Sequence, residues 1–340
     1  MKFPALFAPK PKRSSTGAVD TSYVPDYLKM NGSFRNHHPV FTEFMPFESE
    51  VDVDIEVDYI GSLTRPEYLP AFNKRSNKLI SASIPAVDEE YFEWIDILMA
   101  VKDAGRTFSA VELGAGYGRW GVRAGCAARK KGIENIHLTF AEAEPTHVRW
   151  LRQHVRDNGF SEYEVEILEG AISDRSGVTY FYTGMPEGYE HNSPREWYGQ
   201  SIAQDHERPA KTEDQTPNKE SASNVTFESG WRGIEVPLMD IIDVSSKWCQ
   251  IDLLDLDVQG EEEKIIRRSI KDLNRGVKRL HIGTHSRKIE AGLRSVLAEN
   301  GWICVRDFPT GSTTATPYGE VTFVDGVQSW INPKHQVTWA

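Results

Sequence analysis

The chain is poor in cysteine, in long apolar runs and in positive charge, and each shortage excludes something. Its three cysteines, Cys126, Cys249 and Cys304, lie far apart and form no CxxC pair. They build neither a disulfide framework nor a paired zinc motif, and they point to a reducing, cytoplasmic setting. No stretch approaches the roughly 20 apolar residues of a membrane span. The opening MKFPALFAPKPKRSS breaks its short apolar run with prolines, unlike a signal peptide. The net charge of −11 disfavours non-specific binding to nucleic acid or anionic membranes. Hydrophobic residues make up 39%, a low share, so a folded core with polar, loosely packed segments is expected.

What is present is organised around 111–121, VELGAGYGRWG. It reads as a buried strand ending in Glu112, a loop with Gly114, Gly116 and Gly118, and the start of a helix. Glycines there let the backbone approach a ligand closely, and such a loop between strand and helix is the usual seat of a nucleotide-like cofactor.

Around this loop the chain alternates. Strands are expected at 108–113, 136–141, 164–168, 249–256 and 277–282. Helices are expected at 88–102, 119–131, 146–158, 261–274 and 287–300, with Gly105, Gly132, Gly159, Gly276 and Gly301 as end caps. This order specifies an α/β fold with a parallel sheet covered on both faces. A short strand is expected at 178–182, and 302–307 with 321–327 suit an antiparallel hairpin at a sheet edge.

Residues 88–340 would form the main domain, and 1–87 an extension. Positions 1–33 read as a flexible arm, and 51–59, VDVDIEVDY, alternates strictly as a half-buried strand with a solvated acidic face. The pair His37 and His38 lacks a second ligand pair at metal-site spacing. The stretch 184–233 is a polar insertion. Its aromatics Tyr189, Trp197 and Tyr198 and the run Ser201-Ile202-Ala203 are candidates to dock on the domain, and 211–223 reads as disordered.

An open parallel sheet binds ligands beyond its carboxyl strand ends, where the strand order reverses. After the second strand come Glu142 and Glu144, and an acid there can accept both ribose hydroxyls. The residues alone leave NAD open, although Arg119 occupies the last glycine position of the dinucleotide GxGxxG pattern and the terminal hairpin also weighs against it.

Six stretches in order, VELGAGYGRWG, AEAEPTHVRWLRQHVRDNG, EGAISDRSGVTYFY, VPLMDII, IDLLDLDVQGEE and RLHIGTHS, resemble the FkbM-type, S-adenosylmethionine-dependent methyltransferases of class I. The resemblance spans about 108–302. It implies a Rossmann-like, mostly parallel seven-stranded sheet and O-methylation of a small molecule, sugar or glycan hydroxyl. Glu112, Gly114, Ala115, Gly116, Tyr117 and Gly118 would surround the methionine part of the cofactor, Glu144 the ribose and Ala171 the adenine. Glu144 is preferred over Glu142 because Pro145 follows it. Asp257 would face the transferred methyl, Glu262 matches an acid at the next helix start, and His285 matches a histidine after the fifth strand. His285 and Asp257 are the catalytic candidates, converging on one acceptor hydroxyl. Three departures fall on the acceptor side: Asp255 stands where lysine is frequent, Gln259 where glutamate is common, and Gly283 where an acid often stands. Trp120 is expected to pack inside.

No metal is assigned. Asp255, Asp257, Glu262 and His285 could hold Mg²⁺, but carboxylates beside a helix N-terminus are already explained by its dipole. A homo-oligomer is compatible with the sequence. The rival readings are a nicotinamide oxidoreductase and a methyltransferase-like binding protein without turnover.

Overall fold

The computed structural model describes residues 37–69, 72–184, 200–203, 209–212 and 224–335. The expected arm at 1–33, the aromatics Tyr189, Trp197 and Tyr198, and positions 213–223 lie outside them.

Seven strands form the central sheet: β1 (Thr107–Leu113), β2 (Asn135–Glu142), β3 (Val165–Glu169), β4 (Leu253–Leu256), β5 (Arg279–Thr284), β6 (Ile303–Phe308) and β7 (Gly326–Ile331). Their order is 3-2-1-4-5-7-6, and β7 alone runs antiparallel to its neighbours. The strands alternate because both faces are covered. Val111, Leu113, Leu254, Leu256, Leu280 and Ile282 face α5 (Glu262–Gly276) and α6 (Arg287–Glu299). Phe108, Ala110 and Leu253 face α1 (Tyr91–Asp103) and α2 (Arg119–Lys130). Between these lie α3 (Pro145–Asp157) and the short α4 (Ile241–Ser245).

The α1 face is not apolar throughout. Register places Glu112 beside Asp255, Asp255 beside His281, and His281 beside Ser329. A polar row therefore crosses four strands of the sheet at one level. Helix α1 is buried on nearly all sides, yet carries Glu93 and Asp96. One turn apart, they lie on the same helix face.

Several expectations are corrected. The strand at 51–59 is broken: Glu48–Glu50 and Glu56–Val57 are separate short strands. Asp52 turns the chain between them. Its side chain accepts from Asp54 N (3.4 Å), its carbonyl accepts from Ile55 N (3.1 Å), and Arg75 donates to the carbonyls of Asp52 and Ile55 (2.6 and 2.8 Å). Such local side-chain bonds compete with a ladder. Val40, Phe41, Phe44 and Tyr59, all before the expected domain start, belong to the α1–α2 core. Gly132, Gly159 and Gly301 take left-handed caps, whereas Gly105 and Gly276 do not. The terminal hairpin is two pairings: Ser312–Thr316 with Gly319–Phe323, and β6 with β7. Within the polar insertion, Pro209–Thr212 and Asn224–Phe227 are strands, so Lys211 and Thr212 are ordered. They extend an antiparallel sheet with Gly177–Gly184 and Arg232–Asp240. Ser201–Ala203 docks as expected, through Tyr182 N to Ser201 O and Ala203 N to Tyr180 O, both 2.8 Å.

Candidate active site

The strand order reverses between β1 and β4, and a cavity of about 850 Å³ opens at their carboxyl ends. That lies within the roughly 300–1,000 Å³ usual for small-molecule sites. Eight acidic side chains line it, against Arg119 and His281. Arg119 is already paired with Glu90, Nη2 to Oε2 at 2.6 Å.

The cofactor end is built by the glycine loop and the end of β2. Glu112 holds the loop rather than facing it openly. Its carboxylate accepts from Gly121 N (2.7 Å) and Trp120 N (3.3 Å), which are among the first amides of α2 and otherwise lack partners. Burial pushes its pKa well above the usual range, and the Asp255 carboxylate adds to this. Gly114 is required by packing: a Cβ there would sit 1.7 Å from the Asp257 carbonyl oxygen. Gly118 faces Leu151, at 2.3 Å from its would-be Cβ, and does not line the cavity. Ala115, Gly116, Tyr117 and Trp120 do, so Trp120 is not wholly inside.

The two acids at the end of β2 differ in where they face. Glu144 does not line the cavity; its carboxylate caps α3, accepting from His147 N at 2.8 Å, with Pro145 in the first turn. Glu142 lines the cavity. Its oxygens accept from Gly116 N (2.6 Å) and Glu144 N (2.7 Å), and burial raises its pKa. Ala143, Ala171, Ile172 and Phe181 form an apolar wall beside it, and Gln200 and Ile202 adjoin.

The other end is formed by β4, β5 and α1. Asp257 keeps 52% of its side-chain surface open and lines the cavity. Burial of its inner side raises its pKa, against the pull of His285. His285, expected to converge with Asp257, is not among the residues that line the cavity. It stands behind Asp257, with Nε2 3.3 Å from Oδ1 and Nδ1 2.7 Å from Oε1 of the fully buried Glu262. Burial lowers the pKa of His285, but the hydrogen bond to Glu262 and the neighbouring acids outweigh it and raise it to about 9. At neutral pH the ring is a cation between two carboxylates. Gln259 holds a left-handed backbone, φ 52°, and donates to Asp257 at 3.2 Å. A Cβ at Gly283 would lie 3.3 Å from the Asp257 carboxyl carbon, so the glycine leaves that carboxyl room.

Sequence reasoning missed Glu93 and His281, which line the same cavity. The signals were two acids inside the apolar run of α1 and a histidine at an inward position of β5. His37 and His38 serve local structure: His37 Nδ1 lies 3.0 Å from the Tyr91 hydroxyl, and His38 Nδ1 accepts from Val40 N at 3.1 Å.

The sheet order and the cavity at its reversal make this a class I methyltransferase fold. No family model matches the chain. Over 242 residues, 71% of this chain and 78% of the relative, it is 27% identical to a protein of Jannaschia sp. (strain CCS1) described as "Putative methyltransferase". Two solved structures are similar at lower levels. The methyltransferase FkbM of Methylobacillus flagellatus KT matches 66% of this chain and 44% of its own length, with 10% identity and a TM-score of 0.38. The precorrin-6y C5,15-methyltransferase of Geobacter metallireducens GS-15 matches 81% and 98%, with 9% identity and a TM-score of 0.39. Both values are too low to add to what the sheet order itself says. Among the described residues no helix is long and apolar enough to cross a membrane.

Proposed function

We propose that the protein is an FkbM-type, S-adenosylmethionine-dependent O-methyltransferase acting on a hydroxyl of a small molecule, sugar or glycan. Methyl transfer from S-adenosylmethionine is supported by the fold, the glycine loop at its switch point and the similarity to the Jannaschia protein. One observation carries the finer reading: a single cavity joins the glycine loop and Glu142 at one end to the open carboxylate of Asp257 at the other.

The residues fit the cofactor. Glu142 would hold the ribose, and Ala143, Ala171 and Phe181 the adenine. The cationic methionine end would lie beside the loop that Glu112 holds. The bound cofactor supplies an electrophilic methyl on a sulfonium. The chain's own part is alignment, worth up to about 7–11 kcal/mol when ideal, and proton removal from the acceptor. Asp257 is the group presented for that proton, and its raised pKa makes it the stronger base. His285 acts on Asp257 from behind, as a positioning residue held by Glu262. The acidic lining disfavours polyanions, which weighs against both a nicotinamide pyrophosphate and a nucleic-acid acceptor.

Calorimetry with S-adenosylmethionine, S-adenosylhomocysteine and NAD(H) tests this reading. Saturable binding of the two sulfur ligands is expected, abolished by Gly116→Val. Binding of NAD(H) with no response to the sulfonium overturns it. Cofactor binding without consumption across a broad hydroxyl panel favours a binding protein instead.

A further inference from the structure

Beneath α1 the cavity carries a second set of groups. Glu93, Asp255 and His281 each bring one donor atom to a common point, all within 4.8 Å of one another. They come from α1, β4 and β5, so neither a helix dipole nor a local turn explains their meeting. Asp255 is 4% exposed, and its Oδ1 has no hydrogen-bond partner among the described residues. The Glu93 carboxyl adjoins it, so the two acids stand close enough to share either a proton or a cation.

His281 is oriented from outside the set. Its Nδ1 lies 2.8 Å from Asp96 Oδ2, and Asp96 is itself fixed by Arg306 Nη1 (2.7 Å) and Ser329 Oγ (2.5 Å). With Nδ1 turned to Asp96, the ring directs its Nε2 towards Glu93, 3.9 Å from Oε1. A carboxylate behind a histidine is the arrangement that fixes metal-binding imidazoles.

The geometry points to a divalent-cation site formed by Glu93, Asp255 and His281. Two oxygen donors and one imidazole nitrogen suit Mn²⁺ or Zn²⁺ better than Mg²⁺, which favours an all-oxygen shell. All three residues line the cavity, so an ion there keeps coordination positions open towards a ligand. Anchoring the acceptor's oxygen is the role this gives the ion. That role rests on the methyl-transfer reading, whereas the site does not. The neighbouring set Asp257, Glu262 and His285 is equally compact. There the imidazolium already stands between the two acids as an internal cation.

The test is calorimetric titration of the full, metal-depleted chain with Mn²⁺ and, separately, Zn²⁺, with S-adenosylmethionine titrated in parallel. One saturable ion per chain is expected. Glu93→Gln and Asp255→Asn should each weaken it at least tenfold. Asp96→Asn should weaken it about 10–100-fold through the histidine, and Glu262→Gln should leave it unchanged. Circular dichroism checks each variant; if Asp255→Asn does not fold, Glu93→Gln, on the cavity wall, decides. No saturable binding at millimolar ion means that the two acids share a proton instead, and overturns the site. Binding that survives Glu93→Gln but is lost in Asp257→Asn places the ion in the neighbouring set, and also overturns it. Ion binding without cofactor binding leaves the site standing and removes the methyl-transfer reading; the reverse result removes the site alone.

Discussion

Two clusters of the same composition, each two acids and a histidine, flank the end of β4. In Asp257–Glu262–His285 the histidine lies between the acids and is charged by them. In Glu93–Asp255–His281 the histidine turns its Nδ1 to Asp96, outside the cluster. The acids left behind carry the cost: burial raises Asp255 to about 6 and pushes Glu93 well above the carboxylate range. Asp96 goes the other way. Burial opposes its charge, but Arg306, His281 and Ser329 prevail and hold it at about 2. The two clusters thus differ in where their histidine is anchored: His285 between its own acids, His281 on an acid outside its set.

The contrast can be broken at either cluster. The largest effect is expected from Asp257→Asn, which should lower turnover about 10²–10⁴-fold with cofactor affinity retained. His285→Gln should cost less and should move the alkaline limb of the pH–rate profile; equal losses in the two variants would make His285 a catalytic residue after all. Next in size is Asp96→Ala, which strands the Arg306 charge and frees His281. A loss of about 3–5 kcal/mol is expected in urea unfolding. A loss under 1 kcal/mol would show that the buried network is not a fixed support.

Glu262→Gln is expected to cost about 1.5–3 kcal/mol at pH 6, the worth of a hydrogen bond to a charged group. The folded pKa of His285 is raised, so its stabilisation is fully present below about 6.5, the unfolded value, and is lost as pH rises through about 9. Unfolding at pH 6, 8 and 10 should therefore show the variant's deficit shrinking with pH; a constant deficit would contradict the charged pair. The smallest effect concerns the acids after β2. Glu144→Ala should cost about 1 kcal/mol as a lost helix cap and spare cofactor affinity, whereas Glu142→Gln should weaken cofactor binding. Calorimetry showing the opposite pattern would restore Glu144 to the ribose.

The fold was legible because the alternation of strand and helix along the chain specifies a covered parallel sheet, and the glycine loop marked where its order reverses. Asp255 and Asp257, two apart on one strand, were legible as sharing a face. Their partners were not. Glu93 meets Asp255 through the crossing of α1 over the sheet and His281 through the β4–β5 register, 162 and 26 positions away in sequence. The Glu144-Pro145 pair is also what helix geometry asks of a first turn, a capping acid followed by proline, so it is not specific to a ribose. At 51–59 the alternation was real, but Asp52 offered the backbone a turn instead. In the loop itself, Gly114 and Gly118 are already demanded by the protein's own strands and side chains.

Helix α1 is pinned along its length by three arginines: Arg119 on Glu90 before its start, Arg306 on Asp96 in its middle and Arg279 on Asp103 at its end. The latter two clamps are nearly enclosed in protein, where salt screens little. The opposite rim, around Ile202, meets its neighbouring strand through two backbone hydrogen bonds. The α1 side of the cavity is the one held by buried ion pairs, and they fix where Glu93 stands against the strand ends.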